Sequence, residues 1–230
     1  MIAELRNSAA HVFVDSLEAP VITDFDAHHL LKVLRVKPQD VVTLSDGNGK
    51  WRTCRIGATG RRSDTTEISN LGEVALESAP TWSLTIAFCA VKGDRPEWTV
   101  QKLTEIGIDK IFLLAPTSRS VVRWGDDRAD KNIEKLRVVA REAAMQSRRV
   151  WLPEVTGSVQ LASVGDLFIA DPSGEKMSSQ NRVVAIGPEG GFSDDELEVG
   201  QGLVSLGETV LRAETAAISA AVQMSNWRIK

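Results

Sequence analysis

Two short segments near the C-terminus place glycines and charged residues where a strand should give way to a helix. The first is Ile186–Phe192 (Ile-Gly-Pro-Glu-Gly-Gly-Phe), and the second is Leu206-Gly207 followed by Leu-Arg-Ala-Glu-Thr-Ala at residues 211–216. Glycine has no Cβ, so backbone can approach a ligand closely there, and the helix that follows offers free N–H groups. Two such turns, about twenty residues apart, predict one small-molecule pocket at strand ends.

The charged residues of these turns leave several kinds of chemistry open. Glu189 is placed to bind a ribose hydroxyl, to attract a cationic ligand or to cap a helix. Arg212 and Glu214 flank a small residue at the start of an apolar helix, which also suits an ordinary helix cap with a surface ion pair. The sequence contains neither a phosphate-binding G-x-x-x-x-G-K-[ST] loop nor an early G-x-G-x-x-G dinucleotide fingerprint.

Alternating strands and helices must position these turns. The predicted strands are Leu84–Ala90, Lys110–Ala115, Asp166–Ala170, Val183–Gly187 and Leu203–Leu206. The predicted helices are Glu97–Ile106, Asp130–Ser147 and Glu214–Trp227, and Ser193 with Glu196 predicts a capping box that opens a further helix. Strands that alternate with helices indicate an α/β domain with a parallel sheet covered on both faces.

The N-terminal third reads differently, as short β segments. These are Val12–Val14, Val41–Leu44, Trp51–Ile56 and Thr65–Ser69, with one short helix at Ala27–Val36. Asp46-Gly47-Asn48-Gly49 is typical of a hairpin turn. Glu77–Pro80 suits a linker, so we expect a small β-barrel at 1–76 and an α/β domain at 77–230.

Composition places the chain among folded globular proteins, with 43% hydrophobic and 25% charged residues. The two cysteines lie far apart without metal-ligand spacing, and no signal peptide or membrane span is expected. Net charge is −4, yet residues 119–149 hold 9 basic and 5 acidic side chains. This local excess is compatible with phosphate binding and equally with an ordinary solvated helix face.

Seven motifs in fixed order make the chain resemble a known family. They are His28–Arg35, Lys92–Trp98, Gln101–Gly107, Ser118–Ser120, Glu142–Arg148 and the two C-terminal turns. In this order and spacing they resemble the bacterial ribosomal RNA small-subunit methyltransferase E family. Its members belong to the SPOUT class and use S-adenosylmethionine to methylate N3 of a uridine in 16S RNA. The resemblance covers nearly the whole chain.

The resemblance implies a fold and a donor site that the residue patterns alone do not. It implies a SPOUT-type sheet with a trefoil knot, preceded by a PUA-like β-barrel that binds RNA, in a homodimer. The implied donor-binding residues fall in three segments: Ala170, Asp171, Pro172; Gly187, Pro188, Glu189, Gly190, Gly191; and Leu206, Gly207, Leu211, Arg212, Ala213, Glu214, Thr215.

Methylation of uridine N3 requires loss of its proton, because the protonated nitrogen is a poor nucleophile. The C-terminal domain contains no histidine, so we expect Arg119 or Arg212 to stabilise the uridine anion electrostatically. The target base must be unpaired or flipped out. Transfer from a sulfonium requires no Lewis acid, so no metal is expected.

The expected RNA contacts are basic or polar side chains: His11, His29, Arg35, Arg123, Arg141, Gln146, Arg148 and Arg149. His11 stands where family members often carry an arginine. We expect a cytoplasmic enzyme acting on 16S rRNA within the 30S subunit. The alternatives are a non-catalytic RNA-binding or ribosome-assembly factor, and a SPOUT enzyme acting on another RNA.

Overall fold

The computed structural model describes residues 2–57 and 68–228. Its residue contacts divide the chain into two compact units, one formed by Met1–Pro80 with Ala144–Leu152 and the other by Thr81–Ala143 with Pro153–Lys230. None of the helices in the described residues is long and apolar enough to cross a membrane.

The first unit is built on a small mixed sheet. Its elements are α1 (Ala3–Asn7), β1 (His11–Phe13), α2 (Asp24–His28) with a π-helical turn at His29–Val33, β2 (Val41–Ser45), β3 (Lys50–Ile56), β4 (Ile68–Asn70) and β5 (Ala75–Leu76). Strand β1 runs parallel to β2, whereas β3 runs antiparallel to β2, β4 and β5.

The predicted hairpin between β2 and β3 is confirmed. Asp46 Oδ1 accepts hydrogen bonds from the backbone N of Asn48 at 2.7 Å and of Lys50 at 3.1 Å. Gly47 and Gly49 have φ values of +75° and +91°, which glycine adopts without steric cost. The hairpin therefore places the apolar residues Val42, Leu44 and Cys54 in the core of the unit.

Two predictions for this unit need correction or restriction. The helix predicted at Ala27–Val36 begins at Asp24, because the side chain of Thr23 caps the backbone N of Asp26, and it changes to the π-helical turn after His28. Of the strand predicted at Thr65–Ser69, residues 65–67 lie outside the described residues. Only β4 can be compared with it, and β4 extends to Asn70.

The second unit is a six-stranded sheet with helices. Its elements are β6 (Thr85–Cys89), α3 (Arg95–Ile106), β7 (Lys110–Leu114), α4 (Asp126–Gln146), β8 (Glu154–Val159), a 3-10 turn at Leu161–Ser163, β9 (Phe168–Lys176), β10 (Val183–Ile186), α5 (Asp194–Leu197), β11 (Gly202–Ser205) and α6 (Ala213–Arg228). The strand order is β11-β9-β10-β6-β7-β8, and every pairing is parallel.

The predicted α/β class with a parallel sheet after a small β domain is confirmed. All five residues of β6 are buried, as expected for the centre of a sheet covered on both faces. The capping box of Ser193 and Glu196 opens α5 as predicted. The sequence pattern missed β8, in which Gly157 and a left-handed Ser158 (φ +54°) interrupt the run of β-forming residues.

Strand β9 differs most from its prediction. The strand was expected to end at Ala170, but it extends to Lys176. Its pairing with β11 jumps from Ile169 opposite Leu203 to Glu175 opposite Val204, so residues 170–174 bulge out. At Gly174 a Cβ would lie 2.4 Å from the backbone N of Val204. Only glycine allows the two backbones this close.

Candidate functional site

The strand order of the parallel sheet reverses between β10 and its neighbour β6. Open α/β sheets bind ligands at such a point, outside the carboxyl ends of the strands. The turn Gly187–Gly191, which we call the donor turn, follows β10 at this edge. The backbone N of Gly191 donates to the carbonyl of Pro188 at 2.9 Å, and Gly191 has φ +70°. The predicted glycine turn therefore lies where a small molecule is expected to bind.

Arg119, from the loop after β7, holds the donor turn. Its Nη1 donates to the carbonyl of Gly190 at 3.3 Å and to the carbonyl of Phe192 at 3.0 Å. A Cβ on Gly190 would lie 3.3 Å from the Cβ of Arg119, closer than most such contacts. The absence of a side chain at Gly190 therefore allows the arginine to lie against the turn.

Glu196 makes a second connection between these two segments. Its Oε1 accepts from the backbone N of Ser118 at 2.7 Å, and its Oε2 accepts from the backbone N of Ser193 at 2.8 Å. Burial by itself raises the pKa of Glu196, but the hydrogen bonds from Ser118 and Ser193 outweigh it and lower the pKa. The capping box was predicted, whereas its link to Ser118 was not, because sequence gives no sign of a contact 78 residues away.

The second turn lies between β11 and α6. Leu206 and Gly207 follow β11 directly, and Leu211 and Arg212 precede α6, in which Ala213, Glu214 and Thr215 form the first turn. The Arg212 side chain is exposed. Glu214 lies 3.7 Å from Arg95 at the start of α3, and its buried Oε2 has no hydrogen-bond partner among the described residues.

The third predicted donor segment, Ala170–Pro172, lies in the bulge of β9 rather than in a loop after the strand. Asp171 Oδ1 accepts from the backbone N of Ser173 at 2.9 Å and from its hydroxyl at 2.6 Å. The bulge follows Ile169, which pairs with Ala185 of β10. The first segment therefore lies within β9 and the other two follow β10 and β11, and these three strands are neighbours in the sheet.

Cys89 ends β6 at the same edge and was not singled out by its sequence. Its Sγ lies 4.0 Å from Thr117 Oγ1, which is 3.0 Å from Ser120 Oγ. Burial raises the pKa of the Cys89 thiol to about 11, although hydrogen bonds with Thr117 and Ser120 lower it. The thiol is therefore protonated at neutral pH and serves to pack the base of the loop.

His11 must be removed from the predicted RNA contacts. Its side chain is 1% exposed, with Nδ1 2.8 Å from Thr43 Oγ1 and Nε2 3.0 Å from the carbonyl of Arg149. Burial lowers the pKa of His11 to about 4, so the ring is neutral at pH 7. A neutral, enclosed imidazole with both nitrogens engaged cannot bind a phosphate.

Arg148 has a role within the first unit, Met1–Pro80 with Ala144–Leu152, which we call the barrel unit after the β-barrel expected for it. It adopts φ +60°, and its Nη2 donates to the carbonyls of Ser8 at 3.0 Å and Ala9 at 3.4 Å. Burial lowers the pKa of Arg148. These bonds engage one nitrogen of the guanidinium with the N-terminal segment, so charge reversal here would also disturb the barrel.

The other predicted RNA contacts are divided between the two units. Arg123 and Arg141 belong to the α/β unit, whereas His29, Arg35, Gln146 and Arg149 belong to the barrel unit. Arg35, Arg123 and Gln146 are exposed, and His29, Arg141 and Arg149 are half-buried. Within the described residues, no cluster of three His, Cys, Asp or Glu side chains has the arrangement of a metal site.

Two family models match the chain in its two parts. The model of the RNA methyltransferase domain matches residues 77–225, and the model of the RNA methyltransferase PUA domain matches residues 22–67. Curated relatives named ribosomal RNA small subunit methyltransferase E occur in Mycobacterium tuberculosis and Bacillus subtilis. The first is 30% identical over 89% of this chain and 87% of the relative, and the second 29% identical over 88% and 89%.

Solved structures agree with this match over both units. A ribosomal RNA small subunit methyltransferase E from Neisseria gonorrhoeae, bound to S-adenosylmethionine, has a TM-score of 0.80 at 25% identity and covers 95% of this chain and 97% of its own. A methyltransferase from Legionella pneumophila with bound S-adenosylmethionine also has a TM-score of 0.80, at 26% identity, covering 94% and 97%.

Proposed function

The chain belongs to the ribosomal RNA small subunit methyltransferase E family, and from this membership we propose that it methylates N3 of one uridine in 16S rRNA within the 30S subunit. The reaction is the S-adenosylmethionine-dependent methylation of ribosomal RNA. The proposal adds three details to this reaction: the methylated base is a uridine, the methylated atom is its N3, and the substrate is the 30S subunit. The structural observation that supports methyl transfer by this chain is the donor turn at the point where the sheet order reverses, held there by Arg119.

The residues at this edge suit S-adenosylmethionine, the cofactor of the family. Glu189 and Gly190 are exposed, and the left-handed Gly191 carries no Cβ that would cover the turn. The residues proposed to hold the cofactor are those of the donor turn, of Leu206–Gly207 with Leu211–Thr215, and of Ala170–Pro172. When bound there, the cofactor supplies an electrophilic methyl group on a sulfonium cation.

The chain itself must favour the uridine anion at N3. Arg212 is exposed at the start of α6, and none of the described residues hydrogen-bonds to its guanidinium. We assign it the stabilisation of negative charge on the uracil carbonyl oxygens, which the N-terminus of α6 favours in the same direction. Arg119 has a different role, because its Nη1 already donates to the carbonyl of Gly190 in the donor turn and to that of Phe192 directly after it. It positions the turn.

RNA binding is proposed for both units. The barrel unit contributes His29, Arg35, Gln146, Arg148 and Arg149, and the α/β unit contributes Arg123 and Arg141. Such side chains position the RNA backbone rather than read its sequence. The target uridine must be unpaired or flipped out, because N3 lies on its Watson–Crick edge.

The assembly is proposed to be a homodimer with a knotted SPOUT-type α/β domain at 77–230 and a PUA-like domain at 1–76, acting on ribosomes in the cytoplasm. Exposed apolar side chains in the α/β unit support an interface, among them Val210 at 86% and Val222 at 43% exposure. Sedimentation equilibrium should give twice the chain mass of 25.0 kDa.

The test of the reaction uses methyl-labelled S-adenosylmethionine with 30S subunits that lack the modification. Digestion to nucleosides should give label in 3-methyluridine alone, at a single position in 16S rRNA. Label in another nucleoside or in a ribose would overturn the proposed atom. Label only in naked RNA would overturn the proposed subunit context.

Substitution of the two arginines should separate their roles. Arg212→Ala should lower methyl transfer by about 10²- to 10³-fold while the Kd for S-adenosylmethionine stays within about twofold of wild type, because the lost charge acts on the transition state. Arg119→Ala should weaken cofactor binding, since the donor turn loses its clamp. Calorimetry and single-turnover assays measure the two effects, and a wild-type transfer rate in Arg212→Ala contradicts the assignment.

A further inference from the structure

An open cleft of about 450 Å³ lies in the α/β unit just after β6. It begins where β6 ends, at Val91–Gly93, and is bordered by the first turn of α3, the loop before α4 and the N-terminal half of α4. Because β6 is the neighbour of β10, the cleft and the donor turn follow the two strands at which the sheet order reverses.

The lining of this cleft is strongly cationic. Its charged residues are Lys92, Arg123, Arg128, Lys135 and Glu97. Glu97 pairs with Lys135 at 2.6 Å, so among the lining residues that the structure describes, cationic side chains exceed acidic ones by three. Lys92 and Arg128 are exposed, and neither forms an ion pair with any side chain that the structure describes, a set that leaves out residues 126 and 127. Since the whole chain carries −4, this concentration of positive charge indicates an anionic ligand.

Two further side chains of the cleft are suited to contact a nucleotide base, one by stacking and one by hydrogen bonding. Trp124 lines the cleft and packs, half-buried, against the core of the unit. Asn132, one turn further along α4 than Arg128, offers an amide that can both donate and accept hydrogen bonds. Cationic side chains along a groove with an aromatic platform are the combination that binds single-stranded nucleic acid.

One loop joins the cleft to the donor turn. Arg119 in this loop binds the carbonyls of Gly190 and Phe192. Four residues later Arg123 lines the cleft, and its Nη2 donates to the carbonyl of Thr117 at 3.0 Å. A ligand held by Arg123 is therefore coupled through a short, hydrogen-bonded segment to the turn that would hold the cofactor.

We infer that this cleft binds a nucleotide of the RNA strand next to the methylated uridine, with its phosphates on Lys92 and Arg128 and its base stacked on Trp124. The inference rests on the proposed function, because RNA is the substrate of that function. It adds Lys92, Trp124, Arg128 and Asn132 to the positioning residues, which sequence motifs did not assign to RNA.

The test compares full-length variants that differ in one side chain. Arg128→Gln and Lys92→Gln remove a phosphate contact, and Lys131→Gln is the matched control, because Lys131 is exposed on the same helix but does not line the cleft. The readouts are the Kd for a single-stranded 16S fragment from about 50 to 200 mM salt, the KM for 30S subunits and the Kd for S-adenosylmethionine.

Each cleft variant should weaken RNA binding about tenfold and lower the salt slope by about 1, with cofactor binding unchanged. Trp124→Leu should weaken binding about tenfold without changing the salt slope, because stacking is lost rather than charge. Trp124→Phe keeps an aromatic face and should retain most of the affinity, which guards against a simple folding defect.

Two results would overturn the inference. One is wild-type RNA affinity and salt slope in Arg128→Gln and Lys92→Gln; the other is an equal loss in Lys131→Gln, which would show a general charge effect. Both results are measurements of RNA binding, so they do not depend on whether the protein methylates uridine. A wild-type protein that binds the fragment but makes no 3-methyluridine would contradict the proposed function alone.

Discussion

At the scale of single residues, His11 shows how burial changes a side chain's role. The sequence places a titratable ring near the N-terminus, and its type suggested an RNA contact. Its partners, Thr43 and the carbonyl of Arg149, lie 32 and 138 residues away along the chain. Sequence patterns predict local conformation and burial on average, but they do not show which distant atoms enclose a particular side chain.

The neutral state of His11 makes the stability of the barrel sensitive to acid. Its pKa falls to about 4 in the fold, against a usual value of 6.5, so the unfolded chain binds more protons between these values. The stability contributed by the neutral ring is complete above about pH 6.5 and is lost as pH falls toward 4. Between pH 8 and pH 5 the loss should be about 2 kcal/mol.

Urea unfolding of wild type and His11→Asn at pH 8 and pH 5 measures this contribution. The variant should be less stable at pH 8, because the bonds to Thr43 and Arg149 are disturbed, yet its free energy of unfolding should fall less on acidification. If the free energy of unfolding fell equally in the two proteins between pH 8 and pH 5, the proposed contribution of His11 would be contradicted.

At the scale of elements, the strands of the α/β unit were predicted well where their residues are uniformly apolar. The central strand β6 and its neighbour β10 were placed within one or two residues of their ends. Prediction failed at β8 and β9, where glycine and polar residues lie inside a strand. The polar segment around Gly174 stays in the sheet because its backbone packs closely against that of β11. The β propensities of the individual residues do not contain this contact.

The close contact at Gly174 gives a prediction for stability. Gly174→Ala places its Cβ within 2.7 Å of three backbone atoms of Leu203 and Val204, so β9 and β11 must separate. We expect a loss of about 3 kcal/mol or more, and thermal unfolding several degrees lower.

Gly165→Ala is the control, because a Cβ there would meet no atom within 4 Å and the residue does not have a positive φ. The cost of this substitution should therefore be much smaller. Differential scanning calorimetry of both variants measures the difference. Equal melting temperatures would show that β9 can shift away from β11 without penalty.

At the scale of the whole molecule, the first unit is not continuous in sequence. The segment Ala144–Leu152 belongs to it, together with residues 1–80. Ala144 and Met145 pack in the barrel core, and the backbone of Val150 accepts hydrogen bonds from Gly49 N at 3.0 Å and Ser45 Oγ at 3.2 Å. The change in composition near residue 77 indicates a domain boundary, but it does not show that residues 144–152 return to the first unit.

This arrangement predicts that residues 1–80 do not fold alone. Without the returning segment, the core has a gap and the hairpin loses the partners of Gly47, Gly49 and Ser45. The fragment should give a poorly dispersed amide spectrum, whereas the same fragment joined to 144–152 by a glycine-serine linker should give a dispersed one. A linker that ends in nine unrelated polar residues is the control. A folded 1–80 fragment would contradict the prediction.

The returning segment also sets the order in which the protein can form during its own synthesis. A first domain of contiguous sequence can fold as soon as it leaves the ribosome, but this barrel must wait for about seventy further residues, roughly 4–14 s at ordinary translation rates. During that interval the apolar surface prepared for Ala144 and Met145 stays open. On this arrangement, the core of the first unit is completed only after the first strands and the long helix of the α/β unit have been synthesised.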